Sequence, residues 1–534
     1  MSVLEAGSPR LYTVPAARPI LPLWLAVAAA VAGGLVLTTA FPALAWWPMA
    51  FVAVPLVLVS LIGRRAWSAV LVGFAFGAAF FLVNLSFTAR YLGPIPWLAL
   101  AGLETLLTAV CVVPIALAYR WLPRVLPGRW WRLIALPVLV AALWTMREQV
   151  LGTFPYGGFP WGRIGVTQSN SPLASFASWA GMSGLTFLIV FVCAAAIEYV
   201  RLRGFRDVRT LLPAVIALAV LIVVPQFPTT SAGSIRVGAA QGNGPAGLFD
   251  ERSAHAVLNA QLQATAPLIG ERMDVLLWPE GGIDSDPTRD DATRAALDAL
   301  AERVDAPLLV SAVTRRGDEQ FNSSLLWEAG ADNPVEVYDK RHPVPFGEYV
   351  PDRWLWRTFA PDLIDLVAWD YTPGGAAPLF DIDGVGVGLA ICFDVIYDDV
   401  VWDGALDGAE VYMFQTNNAD FRGTSENLQQ LAFARMRAIE TGRAVVNIST
   451  VGTSQVIAPD GSEIAGLPAD VAGHILTDVP LRTGLTPAVL LGPWIQLVLG
   501  WGSVVAVAAL GLAAAVRDRR AREKTPTPEG PTSS

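Results

Sequence analysis

The chain has 534 residues, of which 54% are hydrophobic and only 16% charged, with a mean hydropathy of +0.48. An ordinary soluble domain carries about a quarter charged residues, so a purely soluble protein is excluded. The net charge of −9, with no basic stripe along the sequence, argues against a nucleic-acid partner. In chain order, eight segments are long and apolar enough to span a bilayer, which needs about 20 helical residues. They lie near 20–41, 45–63, 67–86, 97–119, 132–150, 175–200, 210–227 and 488–516. The first carries an Ala43-Leu44-Ala45 stretch like a signal-peptide cleavage site. Its apolar run is longer than a signal h-region and further spans follow, so it reads as a retained anchor.

Basic residues cluster at Arg10 and Arg18, at Arg64 and Arg65, and at Arg120, Arg124, Arg129 and Arg132. Further clusters stand at Arg201, Arg203, Arg206 and Arg209, and from Arg517 to Lys524. With eight spans every cluster falls on one side, and the loops of the other side hold few cations, such as Arg90 and Arg163. Cytoplasmic loops carry the excess of Lys and Arg, which sets both termini in the cytoplasm and a large domain outside. The expected organisation is a cytoplasmic tail over 1–19, a membrane domain of seven spans over 20–227, an external domain over 228–483, a last span over 484–516, and a Pro/Thr/Ser-rich cytoplasmic tail over 517–534, disordered by composition.

Within the external domain, apolar strands are legible at 235–240, 273–278, 308–313, 324–328, 335–339, 385–392, 411–416, 444–449 and 454–458. Helical periodicity runs over 253–268, 291–304 and 426–441; in the last, Leu428, Leu431, Ala432, Met436 and Ile439 share a face. The alternation predicts an α/β layered fold with helices covering a largely buried sheet.

Three strand ends carry chemistry. Met273–Trp278 stops at Pro279 and is followed by Glu280, Gly281 and Gly282, a carboxylate at a strand mouth where glycines allow close approach. Read alone, Glu280 would be a solvated turn residue and Lys340, after the strand 335–339, surface decoration. The third strand holds a Gly-x-Gly-x-Gly run at 384–388, but no glycine-opened helix follows, so a dinucleotide loop is excluded. It delivers Cys392 at a turn instead. Cys111 and Cys193 lie in spans, so Cys392 has no disulfide partner in its domain; an unpaired thiol in an oxidising compartment is either buried or used. A nucleophilic cysteine needs a base or a cation. Histidine is scarce (His255, His342 and His474), so a Cys–His pair has weak support, with His342 its one candidate. A Glu with a Lys can do the same work, the carboxylate taking the thiol proton and the ammonium stabilising an oxyanion.

In order, Trp278-Pro279-Glu280, Tyr338-Asp339-Lys340, Ile391-Cys392-Phe393-Asp394, Gln415–Ala419 and Ala434–Glu440 resemble the nitrilase superfamily, whose Glu–Lys–Cys constellation sits on a four-layer αββα sandwich. The membrane context, Arg341–Pro351, Gly157–Trp161 and Ala240–Asn243 are similar to its apolipoprotein N-acyltransferase family. That resemblance implies transfer of an acyl group from a membrane phospholipid, through a Cys392 thioester, to the α-amine of diacylglyceryl-cysteine lipoprotein precursors. It implies Glu280 as general base, Lys340 as oxyanion stabiliser and Cys392 as nucleophile, with Glu348, Phe393 and Asp394 in support. It further implies a bacterial cytoplasmic (inner) membrane protein with its catalytic domain on the extracytoplasmic side, and neither cofactor nor metal. The family often has Glu two residues after the nucleophile; here Asp394 shortens that reach by one methylene. Trp354, Trp356, Leu363 and Ile364 lie in an apolar stretch interrupted by Pro361, read as a lid that admits lipid tails. Two rival readings use the same residues differently: a membrane-tethered amidase releasing its acyl group to water, and a non-catalytic assembly protein.

Overall fold

A computed structural model describes residues 18–523. Arg10, Lys524 and most of both predicted tails lie outside the described residues. Five described helices are long and apolar enough to cross a membrane: Ala66–Asn84, Pro94–Val125, Trp131–Leu151, Ala174–Arg201 and Pro487–Ala521. Leu23–Thr38, Trp47–Leu61 and Val208–Val223 are apolar but shorter. Each of the eight apolar segments of the sequence thus forms a helix, and five reach spanning length. Rows of small residues let neighbours close in. A side chain at Gly34 would strike the Phe76 carbonyl at 2.7 Å, and one at Gly73 would meet Val112 at 2.4 Å.

The α/β domain that follows the first seven apolar helices has two six-stranded sheets. The first orders β12 (Gly473–Thr483), β1 (Thr230–Gln241), β2 (Val275–Leu277), β3 (Leu308–Arg316), β4 (Glu319–Trp327) and β5 (Glu336–Asp339). The second orders β11 (Glu463–Leu467), β10 (Ser454–Ile457), β9 (Ala444–Ser449), β8 (Val411–Thr416), β7 (Val385–Ile391) and β6 (Leu379–Ile382). The central triplets β1-β2-β3 and β7-β8-β9 are parallel and flanked by antiparallel strands.

Side chains alternate faces along a strand, and both faces here are apolar because both are covered. Val237, Leu277 and Leu309 point inward against Leu389, Met413 and Val446 of the facing sheet. On the outer face of the first sheet, Leu276, Leu308 and Val310 pack on Leu297 and Leu300 of helix Asp291–Val304. On the outer face of the second, Tyr412 and Phe414 share a cluster with Leu431, Phe433 and Met436 of helix Glu426–Thr441 and with Met182, Trp161 and Trp144 of the membrane domain. The order helix–sheet–sheet–helix is the expected αββα sandwich, with one helical layer seated on the membrane domain.

The predicted strands all form, within a residue or a few at each end. β6, β11, β12 and the helix Asp398–Leu406 were not expected. β12 pairs with β1 along its whole length, but Pro480, which cannot donate to a ladder, argues against a strand in the sequence.

Candidate active site

In α/β sheets, sites form at the carboxyl ends of parallel strands. β2 ends at Leu277, and Glu280 follows at the edge of the sandwich, 7% exposed. β7 ends at Ile391, and Cys392 takes φ +49°, a left-handed conformation that a residue with a Cβ adopts at a cost. Lys340 leaves β5 with its own N–H on the Asn322 carbonyl at 2.8 Å. Its side chain is 2% exposed, and Nζ lies 3.1 Å from Glu280 Oε1 and 2.9 Å from Glu348 Oε2. The Asn322 amide donates to Glu280 Oε1 and to Glu348 Oε1, each at 2.8 Å, and Val344 N donates to Glu348 Oε2 at 2.7 Å. Two carboxylates, an ammonium and an amide thus form a closed cluster.

Asp394 holds the turn at Cys392 in place. It is fully buried; its Oδ1 accepts from His342 N at 2.9 Å, and its Oδ2 accepts from Tyr338 Oη at 3.0 Å, Ile391 N at 3.3 Å and Arg341 N at 3.4 Å. These bonds stitch the cysteine turn to the segment carrying Lys340, so the shorter carboxylate reaches its partners. Gln430 Nε2 donates to Cys392 Sγ at 3.3 Å, and the Asn417 carbonyl stands 4.0 Å from the sulfur.

Burial pushes the Glu280 carboxyl above its ordinary range; Lys340 opposes this, Glu348 adds to it, and a hydrogen bond from Cys392 opposes it. Burial also pushes the Cys392 thiol well up, reinforced by Glu280 and opposed by Lys340. Burial would lower Lys340, but Glu280 and Glu348 outweigh it and hold the ammonium charged. The resting site therefore pairs a neutral thiol with a carboxylate more basic than a free one.

His342 does not supply the base of a Cys–His pair. Its ring stacks on Tyr397 at 3.9 Å and its Nε2 meets Asp399 at 2.9 Å. His255 pairs with Asp290.

Residues 33–195 match the family described as apolipoprotein N-acyltransferase N-terminal domain, and residues 236–484 match carbon-nitrogen hydrolase. The apolipoprotein N-acyltransferase of Mycolicibacterium smegmatis is 32% identical over 512 residues, covering 89% of this chain and 83% of that one. The chain belongs to the apolipoprotein N-acyltransferase family. The Vibrio cholerae member is 28% identical, over 92% of this chain and 96% of that one. Among solved structures, Saccharomyces cerevisiae Nit3, a member of branch 10 of the nitrilase superfamily, is 16% identical with a TM-score of 0.36, over 49% of this chain and 93% of that one. Family membership across both halves of the chain sets aside the amidase and the assembly protein.

In this family member the membrane domain reaches the candidate site. Phe393, next to the cysteine, is 5% exposed and packs on Phe159 at 5.6 Å and Tyr397 at 5.3 Å. The Tyr397 hydroxyl donates to the Gly158 carbonyl at 3.0 Å. The predicted lid forms two short helices, Arg353–Phe359 and Pro361–Ile364. Trp354 is 76% exposed, while Trp356 and Leu363 are half-buried. Ile364, read with them as a lipid-access residue, is buried with Val350 and Val367 under Phe346 and Trp356, forming a small core within this segment. This segment hangs on the membrane domain through Tyr156, whose hydroxyl donates to Asp352 at 2.9 Å.

Asn322, Gln430, Asn417 and Tyr338 were not singled out as site residues. Asn322 sits mid-strand, where nothing in the spacing marks a polar residue as aimed at a carboxylate 42 positions earlier.

Proposed function

We propose that the chain transfers a fatty acyl group from a membrane phospholipid to the N-terminal α-amine of a diacylglyceryl-cysteine lipoprotein precursor, with Cys392, Glu280 and Lys340 as the catalytic trio. The observation that carries this is the convergence of three strand ends: Lys340 Nζ 3.1 Å from Glu280, beside a cysteine held at positive φ. Glu280 takes the thiol proton as sulfur attacks the ester carbonyl. The Lys340 ammonium stabilises the oxyanion, and Glu280 returns the proton to the departing lysophospholipid hydroxyl. The α-amine then attacks the thioester, its proton passes to Glu280, and the sulfur leaves and is reprotonated. The net change is one ester broken and one amide formed. Glu348 keeps Lys340 charged, and Asp394 holds the cysteine turn.

The site faces outward from the bacterial inner membrane in this reading, supported by the alternation of arginine clusters between apolar segments. The lid, with Trp354 and Phe359 exposed, fits an interfacial element over which acyl chains enter. The test is direct: purified enzyme is incubated with phospholipid and a diacylglyceryl-cysteine peptide, and the peptide is weighed. A gain of one acyl mass on the free-amine peptide, with none on its N-acetylated form, is the expected result. No gain in either, or an equal gain in both, would overturn the reading.

A further inference from the structure

Helix Glu426–Thr441 brings a polar chain to the cysteine sulfur. Gly452 N donates to Ser449 Oγ at 2.8 Å, and Ser449 Oγ donates to Asn418 Oδ1 at 2.7 Å. Asn418 Nδ2 donates to Gln430 Oε1 at 2.8 Å, and Gln430 Nε2 ends the chain on Cys392 Sγ at 3.3 Å. The second Asn418 N–H goes to Glu426 Oε2 at 2.8 Å. Ser449, Asn418, Gln430 and Glu426 are all buried, each at most 4% exposed, so bulk water is a poor substitute for any link.

The chain runs in one direction. A backbone N–H can only donate, so Ser449 Oγ accepts at Gly452, and the acceptor it has for its own proton is Asn418 Oδ1. With Oδ1 so occupied, the Asn418 amino group faces Gln430 and Glu426. A flipped Gln430 would set amino group against amino group. Close packing adds to this, since a side chain at Gly452 would lie 2.3 Å from Asn418 Oδ1. Four bonds of one polarity, anchored in backbone, reinforce each other along the chain.

We infer that Gln430 is a further catalytic residue, an oriented amide donor that stabilises the Cys392 thiolate as it forms and again as it leaves. This rests on Cys392 being the nucleophile. In the first step the thiol proton goes to Glu280, the sulfur pair forms the C–S bond and the acyl C–O bond breaks. A thioester sulfur is a weak acceptor, so the Gln430 bond slackens in the intermediate. In the second step the amine forms the C–N bond, the C–S pair returns to sulfur, and Gln430 again has an anion to hold. The sulfur is otherwise faced by the Glu280 and Glu426 carboxyls, the Asn417 carbonyl and Lys340, whose ammonium is drawn to Glu280 and Glu348. Ser449 and Asn418 are positioning residues that act through Gln430.

The measurement is the rate of iodoacetamide labelling of Cys392 in the detergent-solubilised full chain, read by mass on the Cys392 peptide across pH, with melting as the check of folding. A hydrogen bond to a charged group is worth about 10- to 100-fold in an equilibrium. Gln430→Met should therefore slow labelling at pH 8 about tenfold or more and displace the profile to higher pH. Ser449→Ala should displace it the same way by less, which simple loss of packing does not do. Should Gln430→Met fail to fold, Ser449→Ala decides. Folded variants whose profiles overlay the wild type would overturn the inference. A wild-type Cys392 that labels as expected, yet never carries an acyl group, would overturn the acyl-transfer reading and leave the donor chain standing.

Discussion

At the scale of single residues, the charges around Glu280 set where it can act as a base. Burial and Glu348 push its carboxyl up and Lys340 pulls it down, so the acid limb of thioester formation should lie above the ordinary carboxylate range, near 4.3. Glu348→Gln removes a negative neighbour and should move that limb to lower pH, whereas Lys340→Met removes the positive one and should move it higher. A pH series of acylation rates in both variants reads the two signs, and shifts in the same direction would contradict the assigned charges. Lys340→Met should also cost about 10²–10³ in rate through the lost oxyanion partner. Asp394→Asn should destabilise by about 1–3 kcal/mol, because both carboxylate oxygens accept from donors and an amino group must oppose one of them; thermal melting measures it.

At the scale of elements, the contact between loop and helix layer is a buried ion network. Asp398, opening the helix Asp398–Leu406, lies 2.7 Å from Arg163 of the membrane domain and 2.7 Å from Arg437, which reaches Glu440 at 2.6 Å. Burial would raise Asp398, but the two guanidinium groups outweigh it and hold it well below the usual range. Its contribution is therefore present above the unfolded carboxylate range and is lost as pH falls through the depressed value. Asp398→Ala takes the paired carboxylate from the buried Arg163 and leaves Arg437 with Glu440 alone, and should cost about 3–5 kcal/mol, seen as a lowered melting temperature with Cys392, Glu280 and Lys340 unchanged. Glu426 behaves oppositely: burial raises its carboxyl to about 8. The folded state holds that proton, so stability falls as pH rises from about 4.5 through 8, and the melting-temperature advantage of Glu426→Gln should grow over the same interval.

These couplings explain what the sequence disclosed and what it did not. Glu280 and Cys392 each follow an apolar run, and such a strand end is legible from its punctuation; Lys340 follows the shorter stretch 335–339, where Glu336 and Asp339 interrupt the apolar residues. Helices 291–304 and 426–441 were readable from periodicity because their buried faces are continuous. Arg163 read as one of the sparse cations of an outer loop, while the structure buries it against Asp398, 235 residues away. Likewise the sequence shows Gln430 only as a polar position in an amphipathic helix. Pairings across such distances leave no local pattern, and neither β12 nor the small core of Val350, Ile364 and Val367 follows from period or propensity.

At the scale of the whole molecule, the apolar helices and the sandwich share one hydrophobic cluster, which seats the candidate site against the membrane domain. The sidedness argued from the arginine clusters predicts opposite compartment signals for reporters fused after residue 206 and after residue 480; matching signals would contradict it. Environment-sensitive probes at Trp356 and Leu363 should report lipid contact that vanishes without bilayer. The central claim is covalent chemistry at Cys392, and one measurement meets it most directly. With phospholipid present and no acceptor amine, intact-mass analysis should find one acyl group on the enzyme, removed by neutral hydroxylamine and absent in Cys392→Ala and Glu280→Gln. A diacylglyceryl-cysteine peptide should discharge it onto the peptide's amine. A folded enzyme that transfers acyl groups without ever carrying the adduct, or a Cys392→Ala variant with full transfer activity, would contradict the account.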